Sequence, residues 1–155
     1  MNKFLKLSLP LFAALLAFTP LHAKPSKALM TRLQEQKATT QSITQLAQDS
    51  VNKSYAFYKP QFDELVDLES LIRTGSTQST YAGLIAPNYA GMFAEAIIKQ
   101  LTTIAQTLGA RDRITFWNAA DAYLKQVLAQ FVSEHGGTVT AELNNYITAQ
   151  INLNR

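Results

Sequence analysis

The clearest structural pattern in this chain is the stretch DRITFWNAADAYLKQVLAQFVSEHGG, residues 112–137. Apolar residues recur in it at the spacing of one helix face, namely Ile114, Trp117, Ala120, Leu124, Val127, Leu128 and Phe131. Gly136 and Gly137 follow at once, and glycine commonly ends a helix in a left-handed conformation. The stretch therefore predicts an amphipathic helix over Asp112–His135 that buries one face in a core.

The same periodicity extends outward on both sides. On the N-terminal side a helix ending at Gly109 is predicted from Phe93, Ile97, Leu101, Ile104 and Leu108. On the C-terminal side Thr138 or Thr140 can cap a last helix, whose apolar face is Val139, Leu143, Tyr146, Ile147 and Ile151. Because no useful stretch alternates apolar and polar residues, the sequence predicts an all-α, single-domain bundle of four to five helices.

Two further helices are predicted closer to the N-terminus. The first opens near Ser26 and runs to about Lys59, where Pro60 is expected to stop or kink it. The second covers Gln61–Thr74, and Gly75 is placed to end it. The apolar residues of this second helix are Phe62, Leu65, Val66, Leu68, Leu71 and Ile72.

Residues 1–23 have the three-part layout of a secretory signal peptide. Lys3 and Lys6 precede a short apolar run, Leu7–Phe18, and Ala23 suits cleavage. The run is too short to span a bilayer, which takes about 20 residues. We therefore expect residues 24–155 to be the working domain, periplasmic or secreted, with no membrane insertion after cleavage.

Composition excludes several classes of function. The chain has no cysteine, so it offers neither a disulfide nor a thiolate ligand or nucleophile. Its net charge of +3 includes two lysines of the signal peptide, and the remainder has no basic cluster of the kind that binds nucleic acid. Charge is uneven, however: basic residues dominate Lys24–Lys59, whereas four carboxylates follow at Asp63, Glu64, Asp67 and Glu69.

We predict neither a metal nor a cofactor. His135 is the only histidine beyond the signal peptide, and in the last turn of a helix it suits a capping role. Carboxylates on neighbouring turns of a helix, such as Asp63, Glu64 and Asp67, are usually a solvated face rather than a calcium loop. The alternative is a small-ligand or haem carrier with axial ligands from Met30, Met92 and His135.

The segment Gly75–Gly91 is predicted to be the working surface. It begins with a polar loop and contains an echo, Tyr81-Ala82-Gly83 and Tyr89-Ala90-Gly91. Tyrosine is enriched at contact sites, and loops on a helical scaffold commonly carry binding residues. We therefore predict that Tyr81, Gly83, Tyr89 and Gly91 bind a partner, and that Pro87 opens the next helix.

A second interpretation comes from a motif order. Glu69-Ser70 is followed by Gly83-Leu84-Ile85-Ala86-Pro87, Tyr123-Leu124 and Asn145-Tyr146. This order resembles that of lytic transglycosylases with a lysozyme-like fold, although the family has Met-Gln where Ile85-Ala86 stands here. The resemblance implies that Glu69 is a general acid that cleaves peptidoglycan, or its remnant in an inactive relative.

The residues themselves favour a binding or assembly protein over an enzyme. They contain no Gly-x-Ser-x-Gly and no paired motif for metal or acyl-transfer chemistry. We therefore expect an exported accessory or chaperone-like module with a protein partner and no catalytic residue. The transglycosylase and carrier interpretations remain as alternatives.

Overall fold

Four α-helices make up the described part of the chain. The computed structural model describes residues 26–155, so the predicted signal peptide lies outside it. Helix α1 spans Lys27–Thr74, α2 Thr80–Ala105, α3 Ala110–Glu134 and α4 Ala141–Asn154. The all-α bundle is confirmed for these residues, with four helices. Within 26–155 no helix is both long and apolar enough to cross a membrane.

The chain divides into two compact units at a point inside α1. The first unit ends at Lys37 and the second is Ala38–Arg155. In the first, the described residues from Lys27 onward are helical, and all of their side chains but that of Leu29 are exposed. The second unit contains the core.

Large apolar side chains from all four helices build that core. Its fully buried members include Val51 and Val66 of α1, Phe93, Ile97 and Leu101 of α2, Phe116, Trp117, Leu124, Leu128 and Phe131 of α3, and Ile147 and Ile151 of α4. The helix predicted over Asp112–His135 is thereby confirmed to within two residues at its start and one at its end. The predicted burial of Ile114 is wrong: this residue, in the first turns of α3, is 54% exposed.

The helix ends predicted at Gly75 and Gly136 are confirmed, whereas the helix predicted to end at Gly109 ends at Ala105, and Gly109 is instead the N-cap of α3. Gly75 (φ +72°) and Gly136 (φ +76°) both adopt the left-handed conformation that side-chain-bearing residues disfavour. Thr140 caps α4, its side chain accepting a hydrogen bond from the Leu143 amide at 3.2 Å. The connections after α1 and after α3 are therefore built by the residues that local chemistry favours there.

The predicted end of the first helix near Pro60 is wrong, because α1 continues through Pro60 to Thr74. A proline inside a helix removes the hydrogen bond to the carbonyl four residues earlier, here that of Ala56. Pro60 and Ala56 both lie on the exposed side of α1. Water can satisfy a carbonyl on that side, while buried residues before and after the proline, Val51 and Phe62, keep the helix on the core.

The prediction that Gly75–Gly91 is a loop region is wrong from Thr80 onward. Ser79 caps α2 by accepting a hydrogen bond from the Ala82 amide at 3.3 Å. The echo residues therefore lie on the first turns of a helix, which buries the small side chains Ala82, Ala86 and Ala90. Pro87 lies inside this helix rather than at its start, and it leaves the carbonyl of Gly83 without its usual donor.

Gly83 brings the backbone of α2 against the turn between α3 and α4. A Cβ atom added to Gly83 would lie 2.6 Å from the carbonyl oxygen of Gly136. A Cβ atom added to Gly137 would lie 2.5 Å from the carbonyl oxygen of Gly83. Two glycines thus face each other with no room for a side chain, because backbone atoms occupy the space.

Because of this contact, substitution of Gly83 and substitution of Gly91 should affect stability differently. Gly83→Ala is expected to lower the free energy of unfolding by about 2–3 kcal/mol, since the new methyl group overpacks against backbone. Gly91→Ala is the matched control in the same helix: its Cβ would meet the Tyr146 ring at an ordinary 3.7 Å. It should be neutral or stabilising by up to about 1 kcal/mol through helix propensity. Denaturant unfolding of both variants tests this, and equal effects would contradict it.

Candidate functional site

Two polar clusters bind the second half of α1 to the rest of the bundle. We call Lys59, Asp63, Glu134 and His135 the histidine cluster, which joins α1 to the end of α3. We call Glu69, Tyr81 and Tyr89 the tyrosine–glutamate cluster, which joins α1 to α2. Neither pairing is evident from sequence spacing, because each joins residues from different helices.

In the histidine cluster, one lysine and one histidine share two carboxylates, and a third, that of Asp67, lies nearby. Lys59 Nζ lies 2.6 Å from Asp63 Oδ2 and 2.8 Å from Glu134 Oε2. The His135 side chain is only 10% exposed, and its Nε2 lies 3.0 Å from Asp63 Oδ1. Its Nδ1 faces Asp67 at 3.9 Å. His135 occupies the C-cap position predicted for it, and it also pairs with α1, which sequence reasoning missed.

The pKa values in this cluster follow from its contacts. Burial lowers the pKa of Lys59, but the hydrogen bonds to Asp63 and Glu134 outweigh it, so the net shift is upward. The hydrogen bond from Lys59, then that from Gln130, lowers the pKa of Glu134. Both groups therefore stay charged around neutral pH, and their ion pair stabilises the joint between α1 and α3.

A cleft of about 550 Å³ opens beside the histidine cluster, where Thr77, Gln78 and Ser79 form another part of its wall. A serine near an aspartate–histidine pair raises the question of nucleophilic catalysis. The Ser79 hydroxyl, however, caps α2 and lies 2.6 Å from the Ser70 hydroxyl. Its contacts are those of a structural residue that orders the α1–α2 connection.

The tyrosine–glutamate cluster unites residues that the sequence assigned to two separate hypotheses. The Tyr89 hydroxyl donates to Glu69 Oε2 at 2.6 Å, and the Tyr81 hydroxyl donates to Glu69 Oε1 at 3.1 Å. These hydrogen bonds, that from Tyr89 first, lower the pKa of Glu69. A general acid for glycoside cleavage needs a raised pKa. The geometry therefore suits a carboxylate that holds two helices together.

The other two predicted binding residues have different surroundings. Gly83 is buried against the Gly136 backbone, as described above. Gly91 lies in the wall of a groove of about 450 Å³ between α2 and α4, together with Met92, Glu95 and Tyr146. The Tyr146 hydroxyl donates to Glu95 across this groove. The structure therefore brings Tyr81 and Tyr89 together at Glu69 but places Gly83 and Gly91 apart from them.

Metal and haem ligands are not assembled within the described residues. Among residues 26–155, no group of three or more histidine or carboxylate side chains is placed to hold a metal ion. Met30 and Met92, considered as haem ligands, are 44% and 56% exposed. Asp63, considered as a cation ligand, is occupied by Lys59 and His135.

The apolar residues predicted for the second half of α1 lie on two sides of the helix, a division that sequence analysis did not make. Phe62, Val66 and Ser70, four residues apart, face the core. On the opposite side five large apolar side chains are exposed, and we call them the outer stripe: Phe57 (65%), Leu65 (40%), Leu68 (50%), Leu71 (48%) and Ile72 (73%). Apolar residues grouped on one exposed helix face are typical of interaction sites.

Comparison with known proteins finds no family model, no curated protein and no solved structure that matches this chain. The assignment of a function therefore depends on the residues and the geometry described above.

The lowered pKa of Glu69 predicts a specific loss of stability in acid. A carboxylate whose pKa is depressed on folding stabilises the protein above its unfolded pKa, near 4.5, and loses that contribution as the pH falls through the folded pKa. Glu69→Gln should remove this pH dependence, and the double variant Tyr81→Phe, Tyr89→Phe should do the same. The check is the free energy of unfolding measured from pH 3 to 7; an unchanged acid slope in both variants would refute the argument.

The buried hydroxyl of Tyr55 predicts a substitution that stabilises the protein. Its ring stacks on Phe93 at 5.2 Å, and burial, then Glu134, raises its pKa to about 12. Within residues 26–155 its buried hydroxyl has no hydrogen-bond partner. Tyr55→Phe should therefore raise the free energy of unfolding by about 1 kcal/mol. Tyr58→Phe is the control, because Tyr58 accepts a hydrogen bond from Gln100 at 2.9 Å; it should be neutral or slightly destabilising. A loss of stability in Tyr55→Phe would contradict the prediction.

Proposed function

We propose that this protein is an exported helical binding protein of the bacterial periplasm, an accessory or chaperone-like module that docks a partner protein. Export is inferred from the pattern of residues 1–23. The docking role is inferred from the second half of α1.

The outer stripe is the observation that carries the docking role. Exposing five large apolar side chains on one helix face is unfavourable in water, at roughly 25 cal/mol for each Å². The same helix buries Phe62 and Val66 on its other face. An apolar surface held outward by a fixed helix is what a partner protein can cover.

The surroundings of Glu69 favour this proposal over the transglycosylase alternative. Two tyrosine hydroxyls stabilise its ionised form, whereas proton donation to a glycosidic oxygen depends on the neutral form. Glu69→Gln is accordingly expected to leave partner binding intact, apart from its effect on stability in acid.

Photo-crosslinking in the native host tests the docking role. A photoreactive amino acid at Leu68, in the middle of the outer stripe, is expected to give one recurrent protein adduct, identified by mass spectrometry. The same probe at Ile114 is the control, because Ile114 is a similarly exposed apolar residue (54%) on another helix. Absence of any protein adduct at Leu68, or identical adducts at both positions, would overturn the proposal.

A further inference from the structure

We propose that the outer stripe of one copy is covered by residues 27–37 of α1 from a second copy, so that the chain self-associates. This inference rests on the proposed docking role of the stripe and names its occupant. The charge and the exposure of the two surfaces support it.

The outer stripe has an acidic border. Glu64 is exposed and lies one turn before Leu68 on the same side of α1, and the Asp67 side chain is 47% exposed one turn further on. The stretch from Asp63 to Glu69 contains no basic residue. An occupant of matching chemistry is therefore an apolar helix face flanked by lysine or arginine.

Residues 27–37 have this composition. Lys27, Arg32 and Lys37 outnumber the single acid in the segment, Glu35. Leu29, Met30 and Leu33 lie within little more than one turn of each other, so they share one side of the helix. Met30 is 44% exposed and Leu33 is 41% exposed. The segment thus presents an apolar face with basic neighbours to its surroundings.

The helical state of this segment also calls for a partner. Most of the stability of a protein helix comes from packing of an apolar face, and side chains 30–37, at the start of α1, are all exposed. Covering Met30 and Leu33 with the stripe of a second copy would stabilise the segment. Pairing two stripes directly is less favourable, because it would bring Glu64 and Asp67 of both copies together.

The test is the oligomeric state of the exported, processed protein, followed by sedimentation velocity from low to high micromolar concentration at low and high salt. We expect a concentration-dependent dimer that weakens as salt screens the charges. Helicity measured by circular dichroism should increase with association. Leu68→Ser with Ile72→Ser should abolish the dimer, whereas Ile114→Ser, the exposed control on α3, should leave it unchanged.

A charge exchange identifies the two surfaces. Glu64→Lys alone should weaken the dimer about tenfold, and so should Arg32→Glu with Lys37→Glu. The three substitutions combined should restore it, because the charges are then complementary again. The proposal would be overturned if the triple variant did not regain dimerisation, or if none of these substitutions changed the strength of the dimer.

A protein that stays monomeric at every concentration would also overturn self-association. The crosslinking experiment separates this result from failure of the docking role. An adduct from Leu68 to a different protein would leave the stripe as a docking surface with another occupant. An adduct between two copies of this chain, mapped to residues 27–37, would support the inference directly.

Discussion

Phe93 is the side chain on which the packing of three helices depends. It lies on α2, is completely buried, and stacks against Phe62 of α1 at 4.6 Å and Tyr55 of α1 at 5.2 Å. Phe131 of α3 meets the same ring edge-on at 5.4 Å. Aromatic contacts of this kind add about 0.5–1.5 kcal/mol beyond the area that they bury. With no cysteine in the chain, no disulfide contributes to stability, and the bundle depends on such packing.

The two polar clusters fix the rotation of α1 about its own axis. Apolar burial alone is poorly directional, since a helix with apolar residues on several sides can turn and still bury some of them. Lys59 and Asp63 reach the end of α3 from one edge of α1. Glu69 reaches Tyr81 and Tyr89 of α2 from the other edge. Turning α1 would break both sets of contacts, so the helix is held in one orientation.

Much of the fold could be predicted because helix periodicity and end signals are local. The sequence correctly predicts the helix within residues 112–137, the helix ends at Gly75 and Gly136, and the cap at Thr140. The helix boundaries predicted at Pro60 and Pro87 were wrong. A proline is tolerated inside a helix when the carbonyl that loses its hydrogen bond faces water or a neighbouring backbone. The partners of Glu69 and His135 could not be predicted, because they lie on other helices. The outer stripe had a signal: apolar residues from Phe62 to Ile72 are too many for one helix face.

The exposure of the outer stripe therefore has a cause within the molecule. A rotation of α1 by about a quarter turn would bring some of the stripe, such as Leu65 and Ile72, toward the bundle. That rotation would also separate Asp63 from His135 and Glu69 from its two tyrosines, leaving charged groups without their hydrogen bonds. The clusters thus stabilise the arrangement that keeps the apolar face outward. The fold thus holds this surface in place at a cost in apolar exposure, and this is the basis of our proposal that an occupant covers it.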